Sequence, residues 1–187
     1  MKQNKINIIL AVGLILMAAA ARIVNHELHF WNLAPVAAVG LFGGSVIHDR
    51  KLAFLMPLLA LFIGDLYIQL FPTNALQRGF YGMEQAFVYG AMVLVTLLGT
   101  RMKQPKVAKV LGFSLSSSLV FFAVSNLGAF AGGMWGYDLN GLTTTYVMGI
   151  PFFKYTLLGD LIGNAALFGG YYLLQQAAGS RLQSARI

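Results

Sequence analysis

The sequence predicts an all-α integral membrane protein: one domain over residues 1–187, built as a bundle of six transmembrane helices with both termini in the cytoplasm. Three observations lead to this prediction, namely the composition, six apolar segments and the placement of the basic residues. Of the 187 residues, 58% are hydrophobic and 10% are charged, whereas about 25% of the residues in a soluble domain are charged. The mean hydropathy is +0.70. This composition excludes an ordinary soluble domain.

The six apolar segments lie close to the length that crosses a bilayer, about 20 residues each. In chain order they run over residues 6–21, 32–47, 52–71, 83–100, 107–127 and 151–174. Several are shorter than about 20 residues, so tilted helices or a locally thinned bilayer are expected.

The basic residues fall in short clusters between these segments and set the predicted orientation. With the amino terminus inside, three of them lie outside or near the outer end: Arg22, Arg78 and Lys154. Ten lie on the inner side: Lys2, Lys5, Arg50, Lys51, Arg101, Lys103, Lys106, Lys109, Arg181 and Arg186. Because inner loops of membrane proteins hold the excess of Lys and Arg, both termini are predicted to be cytoplasmic. The formal charge of +7 follows from this topology, and no nucleic acid partner is predicted.

The first segment has a second interpretation. Lys2, Lys5, the apolar run and "MAAAAR" (17–22) also fit a signal peptide with a small-residue cleavage site. Removal of this segment would leave an odd number of helices, and the basic residues would no longer alternate between inner and outer connections. Both points favour the uncleaved interpretation.

The connections on the predicted outer side are more varied than the inner ones. The longest is "GAFAGGMWGYDLNGLTTTYVMG" (128–149), whose glycines and aromatic residues favour a lid or a short helix at the interface. Long aromatic-rich loops indicate that function lies on this side. The alternative is that they only cap the bundle.

Two stretches of the chain resemble each other, "PLLALFIGDL" (57–66) and "PFFKYTLLGDL" (151–161). They fall in the third and sixth segments, as two inverted three-helix halves of a transporter would place them. The alternative is chance, because a proline and a Gly-Asp-Leu match arise readily in apolar sequence.

Polar residues within the apolar segments form the candidate site, because a charge in hydrocarbon costs at least a few kcal/mol and needs a partner or a role. Asp65 lies about 9 Å, and Asp160 about 13 Å, from the predicted outer end of its helix, at 1.5 Å per residue. Lys154 and Glu84 lie near the same boundary, and Asn126 lies at the outer end of the fifth segment. We expect these side chains to share one outward-facing polar pocket.

Helical phase refines this expectation. The polar residues of the sixth segment recur every four residues and form one helix face: Thr156, Asp160 and Asn164. Lys154 lies on another side, so we expect it to pair with Asp65, with Glu84 or with a ligand anion. Two alternatives stay open: Asp160 caps or pairs with another helix, and Lys154 extends to the interface.

Small residues on two other segments predict helix packing. A serine face on the fifth segment predicts close packing or interhelical hydrogen bonds: Ser114, Ser118 and Ser125. The Gly-x-x-x-Gly spacing in "GLFGG" (40–44) predicts a helix contact.

Signatures of catalysis and metal binding are missing from the sequence. There is no cysteine, which removes thiolate nucleophiles and Cys-based metal sites. The two histidines of "HELH" (26–29) lack the His-Glu-x-x-His spacing of zinc proteases, and there is no Gly-x-Ser-x-Gly elbow or Walker loop. We therefore predict no metal, no cofactor, no catalytic residue and no enzymatic activity. The alternative is a membrane-embedded enzyme that uses Asp65 and Asp160 as an acid–base pair.

Three stretches carry a resemblance to a known family: "NLAPVAAVGLFGGSVIHDRKLAFLMPLLALFIGDL" (32–66), "SNLGAFAGGMWGYDLNGLTTTYVMGIPFFKYTLLGDL" (125–161) and "ALFGG" (166–170). The chain resembles an uncharacterised family of small bacterial six-helix membrane proteins. The positions that match its pattern are Asn32, Pro35, Asp65, Asn126, Ile150, Pro151, Thr156, Gly159 and Asp160. This family implies no established activity.

In size and in its predicted outward pocket the chain is also similar to the substrate-binding S components of energy-coupling factor transporters. That resemblance implies a vitamin-like solute taken from outside and an energising ATPase module as partner. Two features depart from it. Ala11 is followed by Ile15 where such components often carry an Ala-x-x-x-Ala docking pattern, and no cysteine is present to bind the cobalt of cobalamin.

The predicted function is therefore uptake or binding of a small, vitamin-like solute by a multi-pass protein of the bacterial inner membrane. The solute would be oriented by Asp65, Glu84, Asn126, Lys154, Thr156 and Asp160, and covered by Tyr81, Trp135 and Tyr137. A few convergent polar groups in an apolar cavity are typical of such sites. The alternative is a structural or assembly subunit, without a ligand, in which the polar residues only hold the helices together.

Overall fold

Six helices make up the computed structural model, which describes the backbone of residues 2–28, 35–73 and 78–184 and the side chains of residues 8–28, 35–73 and 78–176. The helices are α1 (Lys2–Glu27), α2 (Val36–Val46), α3 (Arg50–Leu70), α4 (Met83–Arg101), α5 (Val107–Ala131) and α6 (Leu139–Ser184). Five of them are long and apolar enough to cross a membrane. The predicted all-α class is thus confirmed. The start of the second predicted segment, residues 32–34, lies outside the described residues.

The exception in length is α2, which lies at the centre of the bundle. It has 11 residues, or about 16 Å, roughly half of a bilayer core of about 30 Å. α2 contacts all five other helices, which surround it in the order α1, α3, α4, α5, α6. Among the described helices α1 and α6 do not contact each other, so the ring is open between them.

Close contact between α2 and α4 depends on glycine. A side chain on Gly44 would clash with the backbone carbonyl of Thr96, and a Cβ on Gly40 would lie 3.1 Å from the Thr96 hydroxyl oxygen. Gly99 of α4 lies in turn against the carbonyl of Leu41. The helix contact predicted from the Gly-x-x-x-Gly spacing is confirmed.

The two ends of the bundle differ in chemistry. The basic face holds the starts of α3 and α5 and the end of α4, with the basic residues Arg50, Lys51, Arg101, Lys103, Lys106 and Lys109. The aromatic face holds the ends of α3 and α5 and the starts of α4 and α6, with Phe71, Tyr81, Trp135 and Tyr137. The other predicted inner side chains, Lys2, Lys5, Arg181 and Arg186, lie outside the described side chains. Which face is cytoplasmic remains a prediction.

The prediction of a long connection over residues 128–149 is wrong. α5 continues to Ala131 and α6 begins at Leu139, so only residues 132–138 connect them. α6 runs through Pro151, which removes one backbone N–H from the helix. Packing on α5 compensates, because the Tyr146 hydroxyl donates to the Ala123 carbonyl at 2.7 Å and Gly149 lies against Asn126.

Helix lengths argue against two equivalent halves. The first three helices have 26, 11 and 21 residues, and the last three have 19, 25 and 46. In such a repeat the 11-residue α2 would correspond to the 25-residue α5. The 21-residue α3 would correspond to α6, which is about twice as long. The inverted repeat therefore receives no support from the architecture.

Candidate functional site

Two separate polar clusters replace the single predicted pocket. Asp65 of α3 and Asp160 of α6 are both fully buried, but α3 and α6 do not contact each other within the described helices. The expectation that the two carboxylates share a pocket is therefore wrong. The half-length α2 packs between their helices and keeps them apart.

Asp65 lies in a cluster formed by α1, α3 and α4. It forms an ion pair with Arg22 of α1. Its other oxygen accepts hydrogen bonds from the Gln85 amide and the Tyr89 hydroxyl, each at 2.9 Å. The carboxylate is thus paired and hydrogen-bonded on both oxygens, as a buried charge requires.

Two glycines allow this cluster to form. The Arg22 side chain crosses Gly64, where a Cβ would clash with it. A Cβ on Gly79 would clash with the Asp65 carbonyl, so the loop before α4 folds tightly onto α3. Tyr81, in this loop, lies beside the ion pair. Burial raises the pKa of the Tyr81 hydroxyl, and the Arg22 charge acts in the opposite direction.

Asp160 lies in a second cluster formed by α2, α5 and α6. One carboxylate oxygen accepts the backbone N–H of Ala38 at 3.1 Å, and the other accepts the Ser118 hydroxyl at 2.9 Å. No cationic side chain among the described residues pairs with Asp160. Its charge instead faces the first turn of α2, where unpaired N–H groups and the helix dipole favour an anion. This is the helix-capping alternative that the sequence left open.

The start of α2 can approach Asp160 because α6 has a glycine, Gly163, at the point where the two helices meet. A Cβ on Gly163 would clash with Pro35, the residue that precedes α2. Ala37 and Ala38 are 2% and 0% exposed. α2 therefore begins inside the bundle against Gly163, one turn of α6 from Asp160.

The polar face of α6 meets the serine face of α5, so the predicted interhelical hydrogen bonds of the serine face form with α6. Asp160 pairs with Ser118, and the Asn164 amide donates to the Ser114 hydroxyl at 2.9 Å. Ser118 lies near the middle of the 25-residue α5. Asp160 therefore lies level with the middle of the bundle, deeper than the predicted 13 Å, because α6 starts 12 residues before Pro151.

A small cavity lies between α5 and α6, on the aromatic-face side of Asp160. Its volume is about 160 Å³, and its lining residues are Phe121, Phe122, Ser125, Asn126, Gly149, Phe152, Phe153 and Thr156. Asn126 donates to the Phe122 carbonyl at 2.8 Å, and Thr156 donates to the Phe152 carbonyl at 3.3 Å. The structure thus brings together two of the predicted site residues, Asn126 and Thr156, and Thr156 lies one helical turn from Asp160.

A larger cavity of about 610 Å³ lies between the same two helices, on the basic-face side of Asp160. Its wall combines the first two turns of α5 with the second half of α6 and is mostly apolar. Ser114 and Asn164 supply its buried polar groups, and Lys106 lies at the basic face.

The other predicted site residues lie apart from both cavities. Lys154 is exposed, with its ammonium 5.0 Å from the centre of the Tyr155 ring. It pairs with neither predicted carboxylate: Arg22 occupies Asp65, and Glu84 lies in the first turn of α4 against Gly132. The predicted pairing with Asp65 or Glu84 is wrong, because Lys154 faces outward from the bundle; pairing with a ligand anion stays a prediction.

The predicted aromatic cover also does not assemble at one place. Trp135 is 47% exposed and Tyr137 is 75% exposed, both in the short turn between α5 and α6. Tyr81 lies beside Arg22 and Asp65 instead. None of the three lines either of the two cavities.

Sequence reasoning missed the partners of both carboxylates. Arg22 contributes only to the predicted topology, although Arg22 and Asp65 both lie toward the predicted outer side of their segments. Gln85 and Tyr89 are four residues apart on one face of α4, a spacing that could have identified them. The Ala38 N–H has no signature in the sequence, because it is a backbone group exposed by a helix start.

The acidic and histidine side chains of the described residues do not converge on one place. Within residues 8–28, 35–73 and 78–176 no group of three or more such side chains is placed to hold a metal ion. His26 is buried, and its Nε2 lies 3.2 Å from the Phe71 carbonyl. His29, the other histidine of "HELH", lies outside the described residues.

A family model for a family of unknown function, DUF6580, matches residues 2–182. The chain belongs to this family. The match includes both carboxylate clusters and both cavities of this DUF6580 protein, and it confirms the predicted membership in an uncharacterised family. Neither the curated proteins nor the solved structures include a match to the chain.

Proposed function

We propose that this DUF6580 protein binds and transports a small solute at the α5–α6 interface, next to Asp160. The observation that carries the proposal is the half-length helix α2, which begins inside the bundle against a buried carboxylate, one turn from a cavity. Discontinuous helices that start near the bilayer midplane are a recurrent feature of transporter binding sites.

The charge on Asp160 supports a role beyond packing. A carboxylate in the middle of a membrane protein is costly and marks a functional site by default. Asp65 has a cation beside it, whereas the partners of Asp160 among the described residues are a helix start and a hydroxyl. Helix starts of this kind bind anionic groups of solutes or protein in transporters.

The lining of the small cavity indicates the kind of solute. Four phenylalanines offer apolar faces, while Asn126, Thr156 and Ser125 offer an amide and two hydroxyls. The volume of about 160 Å³ is below the roughly 300–1,000 Å³ typical of drug-sized ligands. A small, uncharged solute with both apolar and hydrogen-bonding parts fits better than the vitamin-like solute predicted from the sequence.

The proposal also covers the orientation of the protein in the membrane and its partner. The excess of basic residues supports a cytoplasmic basic face, with the small cavity then on the outer side of Asp160. The likeness to S components, the ATPase module as partner and the bacterial inner membrane stay predictions.

The experiment that tests this function compares two threonines of α6. Thr156 lines the cavity, whereas Thr143 is exposed; each donates to the carbonyl four residues earlier. Wild type, Thr156→Val and Thr143→Val would be purified from the same cells in nanodiscs and analysed for bound small molecules by mass spectrometry. We expect a solute in wild type and Thr143→Val that is depleted in Thr156→Val. Equal amounts in all three, or no solute in any, would count against the proposal.

A structural subunit is the second candidate, and one observation favours it. Every oxygen of Asp65 and Asp160 has a partner within the chain. In that case Thr156→Val would leave the protein assembled and change no bound molecule. Loss of assembly on mutation of either aspartate, together with no solute, would favour this candidate.

A further inference from the structure

We infer that the larger cavity is a second binding site, for an elongated, single-chain amphiphile with an anionic group at one end and a hydroxyl or amide at the other. This inference does not depend on the solute proposed above, because the two cavities share no lining residue. Each part of the ligand follows from one feature of the cavity.

The apolar body follows from size and lining. A volume of about 610 Å³ lies within the range of about 300–1,000 Å³ that holds small organic molecules. Val110 and Leu111 of α5 face Leu161 and Phe168 of α6 across it. An apolar chain would cover these side chains without leaving its own polar groups unpaired.

The hydroxyl or amide follows from Asn164, which lines the deep end of the cavity. Asn164 is 1% exposed, and its amide nitrogen donates to Ser114. Its Oδ1 is buried and has no hydrogen-bond partner among the described residues. A buried acceptor without a partner is rare in native proteins and calls for an explanation. A donor on a bound ligand would satisfy it.

The anionic group follows from Lys106, which lines the cavity at the basic face. Lys106 is charged, whereas the other residues that line the cavity are neutral. From Lys106 to Ser114 the chain rises by about 12 Å at 1.5 Å per residue. The anionic and donor groups of the ligand must therefore lie at opposite ends of its chain, which separates it from a diacyl lipid with all polar groups in one head.

Binding of radiolabelled 10-hydroxydecanoate tests this inference, because this probe carries a carboxylate and a hydroxyl at the two ends of a single chain. The full-length protein would be placed in phosphatidylcholine nanodiscs, and binding to empty discs would be subtracted. Unlabelled decanoate, which lacks the hydroxyl, is the matched competitor. We expect 10-hydroxydecanoate to compete about three- to tenfold better than decanoate, the range for one net hydrogen bond.

Two pairs of variants locate the site. Both alanines are exposed, but Ala165 lines the cavity and its neighbour Ala166 does not. Ala165→Phe should weaken binding about tenfold or more by filling the space, while Ala166→Phe leaves it unchanged. Asn164→Leu should abolish the preference for the hydroxylated probe. Lys106→Gln should weaken binding, whereas Lys109→Gln, outside the lining, should not.

Four results would overturn the inference. They are equal competition by decanoate and 10-hydroxydecanoate, equal effects of the two alanine variants, no saturable binding to wild type, and displacement of the probe by phosphatidylglycerol in the disc. Gel filtration checks that each variant remains monodisperse, and Ala165→Phe carries the test if Asn164→Leu does not fold. Thr156→Val should leave probe binding at the larger cavity unchanged. The binding experiment therefore gives its answer whether or not a solute is found at the smaller cavity.

Discussion

Replacing Asp160 tests whether it holds the start of α2 inside the bundle. In Asp160→Ala the Ala38 N–H and the Ser118 hydroxyl both lose their acceptor. Loss of a helix cap costs about 0.5–2 kcal/mol, and loss of a hydrogen bond to a charged group costs about 1.5–3 kcal/mol. Relief from burying a charge offsets part of this. We expect a net destabilisation of about 2–4 kcal/mol, obtained from these ranges.

Asp160→Asn separates the acceptor from the charge. The Asn oxygen can still accept from Ala38, and its amide can donate to the Ser118 oxygen. This variant should therefore lose about 1 kcal/mol or less. The control is Asp49→Ala, which removes an exposed carboxylate that caps α3 through the N–H groups of Lys51 and Leu52. It should cost about 0.5–2 kcal/mol.

The assay is thermal unfolding of the purified protein in detergent, followed by circular dichroism and by the monodisperse fraction on gel filtration. For a chain of this size 1 kcal/mol shifts the midpoint by about 2–4 °C, so Asp160→Ala should fall about 5–15 °C below wild type. The reasoning is refuted if Asp160→Ala is no less stable than Asp49→Ala. It is also refuted if Asp160→Asn is as unstable as Asp160→Ala, because the charge and not the acceptor would then be decisive.

Three further variants test the α2–α4 contact and the Asp65 cluster by the same unfolding assay. Gly44→Ala should cost about 1–3 kcal/mol by pushing α2 away from α4, whereas Gly90→Ala, whose Cβ would meet no atom within 4 Å, should be neutral or slightly stabilising; equal effects would contradict the contact. Arg22→Met should cost about 3–5 kcal/mol by leaving Asp65 buried without its cation, and a second change, Asp65→Asn, should recover part of that loss; strictly additive losses would exclude the pair. Gly64→Ala should resemble Arg22→Met, because a Cβ there clashes with the arginine, and wild-type stability would show that the arginine takes another path.

Much of the fold was predictable, because hydrophobic segments and helix phase depend on local sequence. The residue spacing within each helix identifies the polar face of α6 and the serine face of α5, and the structure shows that these two faces meet. The glycines of α2 likewise predicted a helix contact, which is formed with α4.

The arrangement of the site was less predictable, because it depends on which helices are neighbours. Charge and depth alone grouped Asp65 with Asp160 and Lys154, whereas α2 separates the two aspartates and Arg22 neutralises the first. The sequence predicts that the sixth helix starts at Pro151, a common position for proline, but packing of the preceding turns on α5 extends the helix upstream.

The proposed function requires that a solute reach Thr156 within the membrane. Since the chain has no cysteine, single cysteines can be labelled without background in intact vesicles by a membrane-impermeant thiol reagent. Thr156→Cys, in the small cavity, would be compared with Ile162→Cys, which lies on the same helix with 66% of its surface exposed on the outside of the bundle. The account predicts that Thr156→Cys reacts and Ile162→Cys, shielded by lipid, does not. Failure of Thr156→Cys to react from either side of the membrane would contradict it.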